Sequence, residues 1–143
     1  MLVKQISVFL ENKSGRLAEV TKRLGENNID ISALSIADTT DFGILRLIVN
    51  QPELAEKILK DNGFMVSSTN VLAIGVADKP GGLAVALDAL ENVGIGIEYM
   101  YAFVGKCSQE ALVILRVEDT NAAISALDKK GIKVLSSKEV YCL

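Results

Sequence analysis

The chain has 143 residues, half of them hydrophobic, with no histidine and a formal net charge of −3 at pH 7. This slightly acidic balance provides no basic surface for nucleic acid or for an anionic membrane. No apolar run reaches the roughly 18 residues of a membrane-spanning helix, and the N-terminus lacks a secretory leader, so we expect a cytoplasmic protein.

The chain contains an internal repeat. Residues 5–31 align with residues 71–97 at a constant shift of 66, and after a two-residue insertion the alignment resumes at a shift of 68. Matched pairs include Lys13 with Lys79, Gly15 with Gly81, Leu17 with Leu83, Leu47 with Leu115, and Gly63 with Gly131. Self-similarity over such a period indicates a duplicated domain, and we place the two copies at residues 1–68 and 69–143.

The first half opens with strand periodicity, because Ile6, Val8 and Leu10 alternate with polar or solvent-facing positions. A polar turn then leads into a helix that the pair Asn27-Asn28 is suited to end. The remaining predicted elements are strands at about 29–37, 44–49 and 65–68, a loop at 38–43, and a helix that Pro52 opens and Gly63 ends.

The second half repeats this order. Its predicted elements are strands at about 72–76, 95–104, 112–117 and 133–135, a loop at 105–110, and helices that end at Val93-Gly94 and at Gly131. Each half therefore has the order β-α-β-β-α-β, the ferredoxin-like arrangement. The predicted fold class is α+β, with two tandem units whose helices lie on one face of an antiparallel sheet.

The sheet face opposite the helices, here called the open face, is unusually apolar. Its predicted members are Phe9, Ile44 and Ile48 in the first half and Met100, Leu112 and Ile114 in the second. Apolar faces of this kind are usually covered. We therefore expect a homo-oligomer, most simply a dimer, in which this face packs on another copy. Light scattering that gives a monomer at micromolar concentration would contradict this expectation.

The sequence offers little catalytic chemistry. The absence of histidine removes the commonest general base and the commonest metal ligand. The Gly94-Ile95-Gly96 segment follows a helix and has Tyr99 at the third glycine position, so it is not a dinucleotide fingerprint. Cys107 and Cys142 match no ligand spacing and are expected to be reduced thiols. We expect no enzyme activity, no cofactor and no metal.

The two strand-to-helix turns, residues 12–17 and 78–83, are the candidate binding sites. First-turn N–H groups and the helix dipole favour an anion, and glycine lets a ligand approach the main chain. Asn12 and Asp78 are placed to hold a complementary group, so an α-amino acid fits both requirements. The alternative is that Asn12 and Asp78 only cap the helices and that the glycines only form the turns.

These turns resemble the start of an ACT domain: a polar residue, Lys, a small residue or Pro, Gly, any residue, and Leu. Residues 28–31 (Asn-Ile-Asp-Ile) and 94–97 (Gly-Ile-Gly-Ile) resemble the family's signature at the start of the second strand. The resemblance covers nearly the whole chain, twice, and is closest to stand-alone tandem ACT proteins. It implies the βαββαβ fold and a regulatory module that binds small molecules, typically amino acids.

The resemblance also implies where the ligand lies. In the family, ligands commonly sit where two ACT domains join side by side into one sheet, between the first turn of one domain and the second strand of its neighbour. The implied ligand-binding residues are Asn12, Ser14, Gly15, Arg16, Leu17, Asp30, Ile31 and Ser32 in the first half, and Asp78, Pro80, Gly81, Gly82, Leu83, Gly96, Ile97, Glu98 and Tyr99 in the second.

The two implied sites differ in chemistry. Arg16 aligns with Gly82, and Asp30 aligns with Gly96, so we expect two related pockets with unequal ligand preference. Tyr99 and its neighbour Tyr101 have the alternative role of packing in the core or an interface.

Three functions remain open. The first is a non-catalytic amino-acid sensor, and the second is a subunit that regulates a separately encoded amino-acid biosynthetic enzyme by protein contact. The third is an enzyme on the same fold, such as an acylphosphatase, which needs an Arg and an Asn at one phosphate. Arg16 is available for it, but the turn pattern favours the ACT interpretation.

Overall fold

The computed structural model of the chain describes residues 2–11, 15–38, 42–103 and 110–141. Asn12, Lys13, Ser14, Cys107 and Cys142 lie outside the described residues. The chain folds as two compact units. The N-terminal unit is Lys4–Thr69, and the C-terminal unit is Asn70–Leu143 together with Met1–Val3.

The N-terminal unit is a four-stranded sheet with two helices. Its elements are β1 (Val3–Glu11), α1 (Arg16–Glu26), β2 (Ile31–Asp38), β3 (Phe42–Val49), α2 (Pro52–Asp61) and the first part of β4 (Met65–Ala77). The strand order is β2-β3-β1-β4. Strand β3 pairs antiparallel with both β1 and β2. The alternating residues Ile6, Val8 and Leu10 pack against Val20 and Leu24 of α1, as their spacing predicts.

The C-terminal unit has the same element order. It contains the rest of β4, α3 (Gly82–Glu91), β5 (Ile97–Ala102), β6 (Glu110–Val117), α4 (Thr120–Lys129), β7 (Lys133–Leu135) and α5 (Ser137–Tyr141). Strand β4 lies between β7 and β6, and β5 forms the edge beside β6. The predicted fold class, two ferredoxin-like α+β units with antiparallel strands and their helices on one face, is therefore confirmed.

Two elements differ from the sequence prediction. Strand β4 continues through 13 residues, where we expected two separate strands. No glycine or proline lies between Gly63 and Gly75, so nothing in this stretch interrupts the extended chain.

Helix α5 was not expected at all. Ser136 Oγ accepts a hydrogen bond from the Glu139 backbone N–H, and Glu139 Oε1 accepts one from the Ser136 N–H, both at 3.3 Å. This is a capping box, whose Ser-x-x-Glu spacing is visible in the sequence. Lys133 Nζ also donates to Glu139 Oε2 at 2.7 Å, which raises the pKa of Lys133 and lowers the pKa of Glu139.

The assignment of Met100 to the open face was wrong. Met100 pairs with Leu115 and packs against the core of the C-terminal unit. A β-bulge between Ile97 and Tyr99 breaks the two-residue alternation of β5, so every later side chain of the strand changes face. Tyr101 pairs instead with the open-face residue Ile114.

The remaining open-face residues are covered to different extents. Ile48 and Ile114 are fully buried within the chain, and Leu112 is nearly so. Phe9 remains 40% exposed, and Phe42 of the same face is 56% exposed. Among the described residues, the exposed rings of Phe9 and Phe42 still favour packing on a second copy, and the homo-oligomer stays a prediction.

Helix α4, like α5, has an N-cap side chain that makes a capping hydrogen bond. Asp119 Oδ1 accepts from the Ala122 backbone N–H at 3.0 Å. We expect Asp119→Ala to lower the free energy of unfolding by about 1 kcal/mol, because a first-turn donor loses its partner. Urea denaturation followed by circular dichroism measures this change. Glu118→Ala, at the exposed neighbouring position, is the control, and equal effects of the two substitutions would contradict the cap assignment.

None of the helices in the described ranges is long and apolar enough to cross a membrane.

Candidate functional site

Both strand-to-helix turns start their helix at a glycine in the left-handed conformation. Gly15 is the N-cap of α1 with φ 88°, and Gly81 is the N-cap of α3 with φ 86°. This conformation strains any residue that has a Cβ, so the backbone alone requires both glycines. Because both N-cap residues are glycines, neither supplies a capping side chain. The N-cap position of α3 is Gly81 and not Asp78.

A pocket of about 440 Å³ opens beside the first turn, within the N-terminal unit. Its lining residues are Phe9, Glu11, Arg16, Phe42, Gly63 and Met65. Phe9 and Glu11 end strand β1, and Phe42 pairs with Glu11 across the sheet. Gly63, with φ 83°, turns the chain from α2 towards β4. Its described lining therefore combines apolar walls with one cation and one carboxylate.

Arg16 is held firmly at this pocket. Its Nη1 donates to Glu19 Oε2 at 3.1 Å, and its guanidinium carbon lies 4.3 Å from the centroid of the Phe64 ring. Both contacts orient the planar head group. Its Nε is buried without a hydrogen-bond partner among the described residues. These two contacts hold the guanidinium in place beside the pocket.

A second pocket, of about 520 Å³, lies within the C-terminal unit. Its lining residues are Gly75, Val76, Ala77, Lys79, Pro80, Gly81, Gly82, Val85, Glu110, Gly131 and Ile132. A Cβ built on Gly75 would lie 3.0 Å from Glu110 Oε2, so the missing side chain makes room for the carboxylate. A Cβ on Gly82 would collide with the Ala77 carbonyl oxygen.

The two pockets are equivalent by the internal repeat. Five of the six positions lining the first pocket recur in the second, at the shifts of 66 and 68. The equivalent pairs are Phe9 with Gly75, Glu11 with Ala77, Arg16 with Gly82, Phe42 with Glu110, and Gly63 with Gly131. The structure therefore contains one pocket, duplicated, with different walls in each copy.

The carboxylate has changed strand between the two copies. Glu11 of β1 pairs with Phe42 of β3, whereas the equivalent pair is Ala77 of β4 and Glu110 of β6. Each pocket therefore keeps one acidic side chain at the same end of the same strand pair.

The predicted strand residues lie elsewhere in each unit. Asp30 directly precedes β2, and Ile31 at its start pairs with Val49, the last residue of β3. The pocket residue Phe42 is the first residue of β3, about 23 Å away at about 3.3 Å per residue. Gly96 and Ile97 occupy the equivalent place at the start of β5. Within one unit, the turn and the strand opening are not brought together.

Several predicted site residues have other contacts. Glu98 pairs with Arg116 at 3.4 Å, and the rings of Tyr99 and Tyr101 stack with centroids 6.5 Å apart. The Asp30 N–H donates to Asn50 Oδ1 at 3.0 Å. Ile31, Leu83 and Ile97 pack against the cores, Ser32 is half-buried, and Leu17 is 40% exposed. Packing accounts for the three core-facing residues without a ligand.

Sequence reasoning missed several wall residues, which include Phe9, Glu11, Phe42, Gly63, Met65, Lys79, Glu110 and Gly131. The sequence predicts an open-face position for Phe9, turns or loops for Glu11, Phe42, Lys79 and Glu110, helix ends for the two glycines, and a strand for Met65. The repeat held a usable signal, because Phe42 and Glu110 fall on equivalent positions within the predicted loops between strands. Among the described residues, no cluster of His, Cys, Asp or Glu could hold a metal ion.

Comparison with known proteins gives one family over the full length. Residues 1–143 match the family model described as ACT domain pair. A comparison with curated proteins gives no match.

Solved structures show the same fold. A crystal structure of a protein from Bacteroides thetaiotaomicron is 46% identical, with a TM-score of 0.93, covering 100% of this chain and 98% of that one. The ligand-free regulatory subunit of aspartate kinase from Thermus thermophilus is 19% identical, with a TM-score of 0.65 and coverage of 90% and 93%. The corresponding subunit from Thermus flavus is 18% identical, with a TM-score of 0.59 and coverage of 90% and 92%.

Proposed function

The chain belongs to the ACT domain pair family, a family of regulatory modules, and on that premise we propose that it is a non-catalytic sensor of a free amino acid. The observation that carries the proposal is the duplicated pocket beside the two glycine-capped helices. An α-amino acid presents a carboxylate and an ammonium a few ångströms apart. Each pocket offers a cation, a carboxylate and the N-terminus of a helix of ten or eleven residues.

The charges of the pockets match those of the ligand. Arg16 and the first-turn N–H groups of α1 suit the ligand carboxylate, and Glu11 suits the ammonium. In the C-terminal unit, Lys79 and Glu110 offer the same pair of charges. Charge-assisted hydrogen bonds contribute about 1.5–3 kcal/mol each, against an association cost of at least about 4 kcal/mol. Four such bonds of about 2–3 kcal/mol each leave about 4–8 kcal/mol, which corresponds to millimolar to micromolar affinity, the range of a metabolite sensor.

We further propose that the strand openings complete the site from another ACT unit. Asp30 and Gly96 lie at the opposite end of the sheet from the turn of their own unit. A turn and a strand opening therefore meet only if the opening is supplied by a different ACT unit, of this chain or of a second copy. Because Asp30 is acidic and Gly96 has no side chain, the two completed sites would prefer different ligands.

The first test is calorimetric titration of the full chain with each of the twenty amino acids. We expect at least one to bind with a dissociation constant between about 1 μM and 1 mM. A bound ligand also raises the melting temperature, because it stabilises the folded state in proportion to the logarithm of its concentration. No heat and no thermal shift with any of the twenty at millimolar concentration would contradict the proposal.

A second candidate is a regulatory subunit that controls a separate amino-acid biosynthetic enzyme by protein contact. The fold likeness to structures named as regulatory subunits of aspartate kinase favours it. Affinity capture from the source cell, followed by an activity assay of the captured enzyme with and without the chain, distinguishes the two. A free-standing sensor leaves the enzyme's activity unchanged, whereas a regulatory subunit changes its response to the amino acid.

A further inference from the structure

The pocket of the N-terminal unit has three large apolar side chains that remain exposed. Phe9, Phe42 and Met65 are 40%, 56% and 70% exposed, and all three line this pocket. A group of large apolar side chains around one cavity, beside fixed charges, is typical of a small-molecule site. We propose that this pocket binds a free amino acid with an apolar side chain, an inference that rests on the proposed function.

The polar end of the pocket selects the amino-acid head group. The guanidinium of Arg16 is fixed by Glu19 and by the Phe64 ring, so little freedom is lost when it binds a carboxylate. The Arg16 side chain is 30% exposed, so a ligand carboxylate can reach the accessible part of the guanidinium from the pocket. Glu11 lines the same pocket and supplies the charge that an ammonium requires.

The apolar end selects the ligand side chain. Phe9, Phe42 and Met65 have no group that donates a hydrogen bond and no strong acceptor. A hydroxyl, amide or ammonium placed against them loses its water without a replacement partner, which disfavours polar side chains. Each additional buried methylene instead strengthens binding by about fourfold. The pocket volume of about 440 Å³ lies within the range of small-molecule sites, about 300–1,000 Å³.

The equivalent pocket of the C-terminal unit lacks this preference. Gly75 replaces Phe9, and the carboxylate of Glu110 replaces the ring of Phe42. The two aromatic walls are thus absent from the second copy. Phe42→Glu introduces into the first pocket the residue type found at the equivalent position of the second. This substitution should therefore abolish the preference of the first pocket for apolar side chains.

The test uses calorimetric titration of the full chain with an unbranched series: L-alanine, L-2-aminobutyrate, L-norvaline and L-norleucine. We expect affinity to rise by about fourfold with each added methylene. L-Lysine, whose chain is that of norleucine with a terminal ammonium, should bind more weakly than norleucine.

Two variants separate the ends of the pocket. Phe42→Glu should weaken norleucine binding by at least about tenfold and flatten the series. Arg16→Gln should weaken the binding of all four ligands by one common factor. The increase in affinity with each added methylene should stay the same. Leu54→Glu, an apolar-to-acidic change at an exposed site of α2 outside the pocket, is the matched control and should leave every affinity unchanged. Thermal melts confirm that each variant is folded.

The outcomes separate the inference from the function on which it rests. Affinity that is flat along the series, or norleucine binding that survives Phe42→Glu, overturns the inference. If a polar amino acid binds tightly while the apolar series does not, the inference fails and the sensor function stands. If no amino acid binds at all, both fail.

Discussion

Truncating Leu47 to alanine is expected to lower the free energy of unfolding by about 2–5 kcal/mol. Leu47 is fully buried in β3 and belongs to the core cluster of the N-terminal unit, opposite Ile6 of β1. Removing three carbon atoms loses their transfer free energy and leaves a cavity that the antiparallel sheet cannot collapse around. Urea denaturation followed by far-ultraviolet circular dichroism measures the loss.

The repeat supplies a matched second variant. Leu115 is the equivalent of Leu47 and is equally buried in the core of the C-terminal unit. Leu115→Ala should therefore cost a similar amount. Leu54→Ala, at a site 38% exposed, is the control and should change stability by no more than about 0.5 kcal/mol. A core variant that behaved like this control would show that the two clusters are not the packed cores of their units.

The second large loss of stability is expected from adding a single methyl group at Gly82, in the second strand-to-helix turn. Gly82→Ala should destabilise the protein by about 1–3 kcal/mol, because the new Cβ would collide with the carbonyl oxygen of Ala77. The colliding atom belongs to the backbone at the end of β4, so it cannot move aside as a flexible side chain would. Relief requires a shift of the first turn of α3, which also deforms the pocket beside it.

Gly25→Ala provides the control for this substitution. Gly25 lies in α1 with open space around the position of its Cβ, so alanine should stabilise the protein by about 0.4–1 kcal/mol through reduced chain entropy. Opposite signs at the two glycines, read from denaturant midpoints, are the expected result. A stabilising effect of Gly82→Ala would contradict the close approach of α3 to β4.

Much of the fold could be predicted because the repeat and the hydrophobic periodicity agree. Ile6, Val8 and Leu10 were placed on the core face by alternation alone, and the helix-ending residues were read correctly, since Asn28 and Gly63 both have positive φ. Met100 was misplaced because a bulge shifts the alternation without a mark in residue type. Helix α5 was missed although its capping box is present, because a five-residue helix has too few residues to show periodicity.

The candidate site could be predicted only in part. The turn pattern located Arg16, Pro80, Gly81 and Gly82, all of which line pockets. The opposite wall is not local in sequence: Phe42 reaches the pocket through its pairing with Glu11, and Glu110 through its pairing with Ala77. Such walls depend on strand register, which a single sequence does not fix to one residue.

The close approach of Gly82 to the Ala77 carbonyl limits how the two copies of the turn could exchange sequence during evolution. From a common ancestral turn, the first copy can exchange arginine and glycine at residue 16, because the side chain there extends into a pocket. The second copy has lost that freedom, because any side chain at residue 82 meets the Ala77 carbonyl. Gene conversion that copied the second turn over the first would place glycine at residue 16, where no side chain is required, whereas the reverse transfer would place a side chain against the Ala77 carbonyl and destabilise the C-terminal unit. The two halves can therefore diverge from each other, but making them alike again costs more stability in one direction than in the other.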